Sequence, residues 1–271
     1  MKCNICFHEC ELKENKRGRC LVRSNVNGKN INVVKEKISS IAVDPIEKKP
    51  LYHFHSGKEI LSIGFYGCNL KCPFCQNFEI SMNSGKNDLN RDVSKEELLS
   101  LALEINNNIG IAFTYNEPLV NYEYVIEIAK LFKENNLNTV LVTNGCFKEE
   151  ICLSVCEYID AMNIDLKGFT DEFYKSLDGD LETVKQFIKT AFKHCHIELT
   201  TLIIPNENDN EEDIENMCKW IASIDKNIPL HLSRFFPNYK MRNVSPTDRE
   251  SMFKLKRICD RYLNYVYLGN M

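Results

Sequence analysis

Hydrophobic positions along the chain alternate between two periods. Short apolar runs of strand character are separated by longer stretches in which apolar residues recur every three to four positions. "EILSIGF" (59–65), "IGIAFTY" (109–115), "NTVLVTNG" (138–145), "DAMNIDLKG" (160–168), "IELTTLIIP" (197–205) and "PLHLSRF" (229–235) read as strands, with "YVYLG" (265–269) as a short last one. Between them lie amphipathic helices: "SKEELLSLALEIN", "LVNYEYVIEIAKLFKENN", "KEEICLSVCEY", "LETVKQFIKTAFKH", "EEDIENMCKWIASI" and "SPTDRESMFKLKRICDRYL". Ser94 is expected to cap the first of these, with Glu97 three residues on completing a capping box.

Six strand–helix units joined by short links predict an α/β fold with a parallel sheet covered by helices. Right-handed crossovers wind such a sheet into a partial (βα)6 TIM-like barrel, and ligands bind at the C-terminal ends of its strands. The barrel is expected over residues 59–271, after a connector at 36–58. Residues 1–35 are cysteine-rich, then polar, and are broken by Gly18 and Gly28. They read as a small metal-binding module, since so short a segment cannot carry a core of its own.

Composition narrows the function. The 271 residues carry a formal net charge of −4, so no broad basic field is available for nucleic acid. No stretch approaches the about 20 apolar residues of a membrane helix, and "MKCNICFHEC" has no apolar signal region, so a cytoplasmic protein is expected. Thirteen cysteines is an odd and high number. In a reducing compartment clustered thiols bind metal or do redox chemistry, whereas scattered ones such as Cys146, Cys152 and Cys218 are expected to be small buried hydrophobes.

The densest cluster is "YGCNLKCPFCQN", Tyr66 to Asn77, with Cys68, Cys72 and Cys75 spaced C-x3-C-x2-C directly after the first barrel strand. Structural zinc takes four ligands and iron–sulfur clusters are ordinarily held by four thiolates. Three thiolates would leave one position open, and an open position marks a catalytic metal. A structural half-ribbon completed by the N-terminal cysteines is the competing reading.

This loop resembles that of the radical S-adenosylmethionine (SAM) enzymes, and other segments fall where that superfamily places its motifs. "TYNEP" (114–118) resembles the segment that meets the SAM amino group, "VTNG" (142–145) a ribose-contacting segment, and "DLKG" (165–168) the Asp-Leu-Lys of glycyl-radical-enzyme activases. "DPIEKKPLYHF" (44–54), the cysteine loop and "YVYLGN" look like the radical SAM component of the AmmeMemoRadiSam system, which is related to the pyruvate formate-lyase activating enzymes. The resemblance implies a [4Fe–4S] cluster on Cys68, Cys72 and Cys75, with SAM at the open iron. It implies SAM contacts from Asn116, Glu117, Thr143, Asn144, Asp165 and Lys167, with His231 and Arg234 of "HLSR" at the end of the sixth strand. The implied reaction is reductive cleavage of SAM to methionine and a 5′-deoxyadenosyl radical, which abstracts hydrogen from a substrate that is a partner protein in the activase lineage. A flavodoxin or ferredoxin would donate the electron. A small molecule or peptide is the alternative substrate, and a zinc-binding interaction protein the non-enzyme alternative.

Cys3, Cys6, Cys10 and Cys20 form a second group spaced C-x2-C-x3-C-x9-C, with His8 among them. Four thiols suit either tetrahedral zinc or a second iron–sulfur cluster, and spacing does not choose between them. Asp44, Glu47, Lys48, Lys49, His53 and His55 precede the first barrel strand, either as a lining of the substrate entrance or as a solvated connector.

Overall fold

A computed structural model describes residues 1–85 and 92–271. The chain opens with the antiparallel hairpin β1 (Arg23–Val26) and β2 (Lys29–Asn32). Asn27 and Gly28 form its two-residue turn, both at positive φ (52° and 75°), as the tight twisted hairpin turn requires. β3 (Ser40–Pro45) follows and pairs antiparallel with β4 (Glu59–Gly64). The 36–58 stretch is therefore not a plain connector. Its strand, "SIAVDP", buries only one face and leaves Ile41 and Val43 exposed, so it carries no apolar run that marks it in the sequence.

The remaining order is α1 (Phe78–Ser81), α2 (Lys95–Glu104), β5 (Asn108–Phe113), α3 (Tyr122–Glu134), β6 (Asn138–Thr143), α4 (Glu149–Cys156), β7 (Ala161–Asp165), α5 (Asp171–Ser176), α6 (Leu181–Phe192), β8 (His196–Ile203), α7 (Glu211–Ile224), β9 (Leu230–Arg234), α8 (Arg249–Cys259) and β10 (Val266–Gly269). Ser94 caps α2, its side chain accepting from Glu97 N while the Glu97 carboxylate accepts from Ser94 N, so the expected capping box forms. The sheet runs in sequence order from β3 to β10, and every pair except β3–β4 is parallel. The six expected strands are β4–β9. β3 and β10 extend the sheet at either edge, and among the described residues these two edges do not pair, which leaves the barrel partial.

The segment between β3 and β4 folds under the barrel as a floor. Its Ile46 and Leu51 pack with Ile60, Ala112, Val140 and Ala161 in a cluster apart from the main core. The floor is pinned by Asn163, whose amide donates to Pro50 O (2.8 Å), and by the Glu198 carboxylate, which accepts from Tyr52 N (3.0 Å) and His53 N (2.7 Å). The N-terminal segment shares the main core with the barrel. Arg23 forks onto Glu123 of α3 with both nitrogens (2.6 and 2.7 Å), and Lys148 N donates to Ile5 O. Among the described residues, no helix is long and apolar enough to cross a membrane.

Candidate active site

A cavity of about 490 Å³ opens at the C-terminal ends of the strands. Cys68, Cys72 and Cys75 form part of its wall. The loop that carries them leaves β4 through Gly67, at φ +84°. Asn116 holds the start of this loop: its carbonyl oxygen accepts from Phe65 N (2.9 Å) and its amide donates to Gly67 O (2.9 Å). Cys68 Sγ accepts from Leu70 N (3.4 Å) and lies 3.7 Å from the Asn144 amide. Burial pushes the Cys68 thiol well above its ordinary range, and the Glu117 carboxylate adds to this. Burial also pushes Cys72 up to about 11. Buried thiols of this kind ionise only against positive charge, which a metal core supplies.

The next strand ends complete the wall. Glu117, after β5, is buried, and its carboxylate accepts from Leu119 N (3.0 Å), Thr143 Oγ1 (2.8 Å) and Asn144 N (2.7 Å). Burial lifts its pKa to about 7 against the lowering effect of those bonds. Thr143 and Asn144 stand at the end of β6. The Asn144 amide also donates to Asn69 Oδ1 (2.9 Å), which ties the β6 end to the cysteine loop. Asp165 ends β7 and Lys167 follows it, the two joined by an ion pair of 2.8 Å. Burial pulls the Lys167 ammonium down, but Asp165 and Cys72 more than offset this, and its pKa is raised.

Two expected residues lie elsewhere. His231 is only the second residue of β9, at the floor end of the strand. It is buried against Glu198 (Nε2 to Oε2, 2.6 Å) and stacked with Tyr267, away from the cavity wall. "HLSR" spans the strand instead of marking its end. Arg234 does close β9, but it donates to Thr247 O (2.6 Å) and lies over the Phe236 ring (4.8 Å). Strand alternation puts the neighbouring Ser233 on the cavity wall and turns Arg234 outward.

The sequence reading did not decide on Asp44, Lys48 and Lys49, and these do line the cavity, together with Tyr115. Lys49 is 2% exposed, donates to Asp44 Oδ2 (2.7 Å) and lies over the Tyr115 ring (4.9 Å). Tyr115 OH donates to the same carboxylate oxygen (2.7 Å). Glu47, His53 and His55 are not on the wall. Pairing of β3 to β4 carries Asp44 to the barrel, and Lys49, in the turn after β3, joins it through their ion pair.

The sequence profile of the radical SAM superfamily matches residues 62–221, more than half of the chain. The chain belongs to the radical SAM superfamily. Along its whole length it is 38% identical to an uncharacterized protein of Methanocaldococcus jannaschii, of which it covers 81%. It is 26% identical to the pyruvate formate-lyase-activating enzyme of Clostridium pasteurianum over 71% of this chain and 87% of that one. Among solved structures, SAM-bound SuiB of Streptococcus suis superposes with a TM-score of 0.57 at 14% identity, covering 78% of this chain and 51% of that one, a likeness of fold.

Membership makes this radical SAM protein an enzyme and implies a [4Fe–4S] cluster and SAM as its cofactors. The donor set fits the cluster. Three buried or half-buried thiols, none in a disulfide, share one cavity wall, and a backbone N–H is aimed at Cys68 Sγ. The alternative of a zinc-binding interaction protein is not favoured.

Proposed function

We propose that the enzyme cleaves SAM reductively to methionine and a 5′-deoxyadenosyl radical and abstracts a hydrogen atom from its substrate, in the manner of the glycyl-radical activases. The single observation that carries this is the meeting of Cys68, Cys72 and Cys75 with the ends of β5, β6 and β7 on one cavity. Cys68, Cys72 and Cys75 would hold the cluster, which when bound would supply the electron and an open coordination site.

This chain's own residues bind and orient. Lys167 is the cation for the SAM carboxylate, and Asp165 holds its ammonium at the strand end. Glu117 accepts three donors and has acceptor capacity for one more, which the SAM ammonium would take. Thr143 and Asn144 face the ribose side, and their bonds to Glu117 and Asn69 fix them there. Asn116 acts through the cysteine loop as a positioning residue. Asp44, Lys48 and Lys49 line the same cavity as the cluster loop and would meet the substrate there. The likeness to an activating enzyme supports a protein substrate, and the same proposal takes a flavodoxin or ferredoxin as electron donor and places the enzyme in the AmmeMemoRadiSam-type group on the likeness of its segments.

The test is anaerobic reconstitution with iron and sulfide, reduction with dithionite, and assay of methionine and 5′-deoxyadenosine. The wild-type chain should form both. The triple variant Cys68→Ala, Cys72→Ala, Cys75→Ala should form neither, and a triple variant that still cleaves SAM overturns the assignment.

A further inference from the structure

We propose that Cys3, Cys6, Cys10 and Cys20 hold a second [4Fe–4S] cluster at the seam between the N-terminal segment and the barrel, next to the loop of the first. All four thiols line one small cavity, and no carboxylate lines it with them. Cys3, Cys6 and Cys20 are buried, Cys10 is half-buried, and none is in a disulfide. Ile5, Val120 and Phe147 close the cavity with apolar surface. Four thiols held in a dry pocket are a complete ligand set with no other use in the fold.

The arrangement favours a cluster over zinc. Zinc draws four sulfurs onto a single point at about 2.3 Å each. Among the described residues, no three His, Cys, Asp or Glu side chains are grouped in that way. The thiols surround a cavity instead, as the corners of a cubane require, with one thiolate to each iron. Two sulfurs already receive N–H donors, Cys3 from the Asn30 amide (3.2 Å) and Cys10 from Arg19 N (3.5 Å). Hydrogen bonds to ligand sulfurs are a lever that sets cluster potential.

The position gives the cluster a role. Asn69, the residue after Cys68, lines this cavity, and its carbonyl oxygen is 2.8 Å from His8 Nε2. Gly67, the residue before Cys68, lies against the carbonyl of Cys20. One residue therefore separates the second site from the first cluster's ligand. A reduced donor of the ferredoxin or flavodoxin class gives one electron to the second cluster and is itself oxidised by one. Passing that electron on to the first cluster returns the second to its oxidised core. No bond forms or breaks. The relay rests on the proposed function of the first cluster, but the second cluster itself does not.

The test is iron and sulfide analysis of anaerobically reconstituted protein, with EPR after dithionite reduction. Wild type should hold about eight iron and eight sulfide per chain. The Cys68→Ala, Cys72→Ala, Cys75→Ala variant should keep about four of each, with an EPR signal that SAM does not change. Changing Cys3, Cys6, Cys10 and Cys20 to alanine should remove the same half. Should that variant fail to fold, Cys10→Ser in the triple-variant background should shift the remaining EPR signal. Zinc without sulfide in the triple variant, or no metal at all, overturns the proposal. Failure of the first-cluster assignment would show separately, as SAM cleavage by the triple variant.

Discussion

A Cβ added to Gly67 would stand 2.3 Å from the carbonyl oxygen of Cys20, a separation that real Cβ atoms do not reach. The two residues come from opposite ends of the two cysteine groups, and their contact sets how closely the N-terminal segment approaches the cluster loop. Gly67 also sits at φ +84°, where a side chain costs about 1–2 kcal/mol before any clash is counted. Gly67→Ala should therefore destabilise the fold by at least about 2 kcal/mol and lower the iron bound per chain. Thermal melts beside iron analysis check this. A normal melt with full iron would mean that the seam can open without cost.

Lys167 carries the one cation placed by β7 at the cavity wall, beside Asp165 and Cys72. Lys167→Ala removes the partner of the SAM carboxylate and leaves Asp165 as an unpaired negative charge in the same space. Charge-assisted hydrogen bonds contribute about 1.5–3 kcal/mol, so SAM affinity should fall by roughly ten- to a hundredfold. Titration of the reconstituted variant, followed by the cluster's spectrum, gives the answer. Unchanged affinity with a normal melt would remove Lys167 from the site.

The strand–helix alternation from β4 to β9 was legible because parallel strands buried on both faces read as continuous apolar runs. β1, β2 and β3 were not, since they are short and gain their order from pairing: "RSNV" is buried but polar, and "KNIN" and "SIAVDP" are partly exposed. The cysteine loop could be found from spacing and position, and "DLKG" from its resemblance to the activase segment. His231 was misplaced because a motif of strand length does not say which of its ends faces the ligand. Asp44 and Lys49 are not legible because an antiparallel pairing carries Asp44 to the cavity and Lys49 follows through its ion pair, and no local pattern announces either.

Glu198 locks the floor of the barrel to β8 and β9. Its carboxylate takes Tyr52 N, His53 N, His196 and His231, which together hold its pKa down to about 2 against the opposing effect of burial. A carboxylate with a depressed folded pKa stabilises the fold above its unfolded value, and this is lost as the pH falls. The window here runs from about 4.5 down to about 2. The full contribution is roughly 3 kcal/mol at neutral pH, at about 1.4 kcal/mol per unit. Glu198→Gln should be less stable than wild type at neutral pH, and the gap should narrow steadily through that window. Denaturant melts at several pH values measure it, and a gap that stays constant with pH would rule out Glu198 as the source.

Glu117 joins the ends of β5 and β6 to the cysteine loop. It accepts from Leu119 N, Thr143 Oγ1 and Asn144 N, and Asn144 in turn donates to Asn69 and faces Cys68 Sγ. Glu117→Ala would leave three buried donors without an acceptor, at about 1–3 kcal/mol for each group not rescued by water. A loss of roughly 2–5 kcal/mol is expected, with lower iron occupancy because Asn144 no longer holds the loop. Glu117→Gln keeps one acceptor oxygen but turns an NH2 group toward a backbone N–H or the Thr143 hydroxyl. One carboxylate oxygen takes both Leu119 N and Thr143 Oγ1 and the other takes Asn144 N, so in either orientation the NH2 faces one backbone N–H that cannot turn to accept. The glutamine variant should therefore lose one backbone hydrogen bond but less stability and iron than the alanine variant. It should still bind SAM more weakly, since the carboxylate proposed for the SAM ammonium is gone. Melts, iron content and SAM titration on both variants separate these effects. If the glutamine variant binds SAM as wild type does, Glu117 is a structural clamp and the ammonium is held by another group.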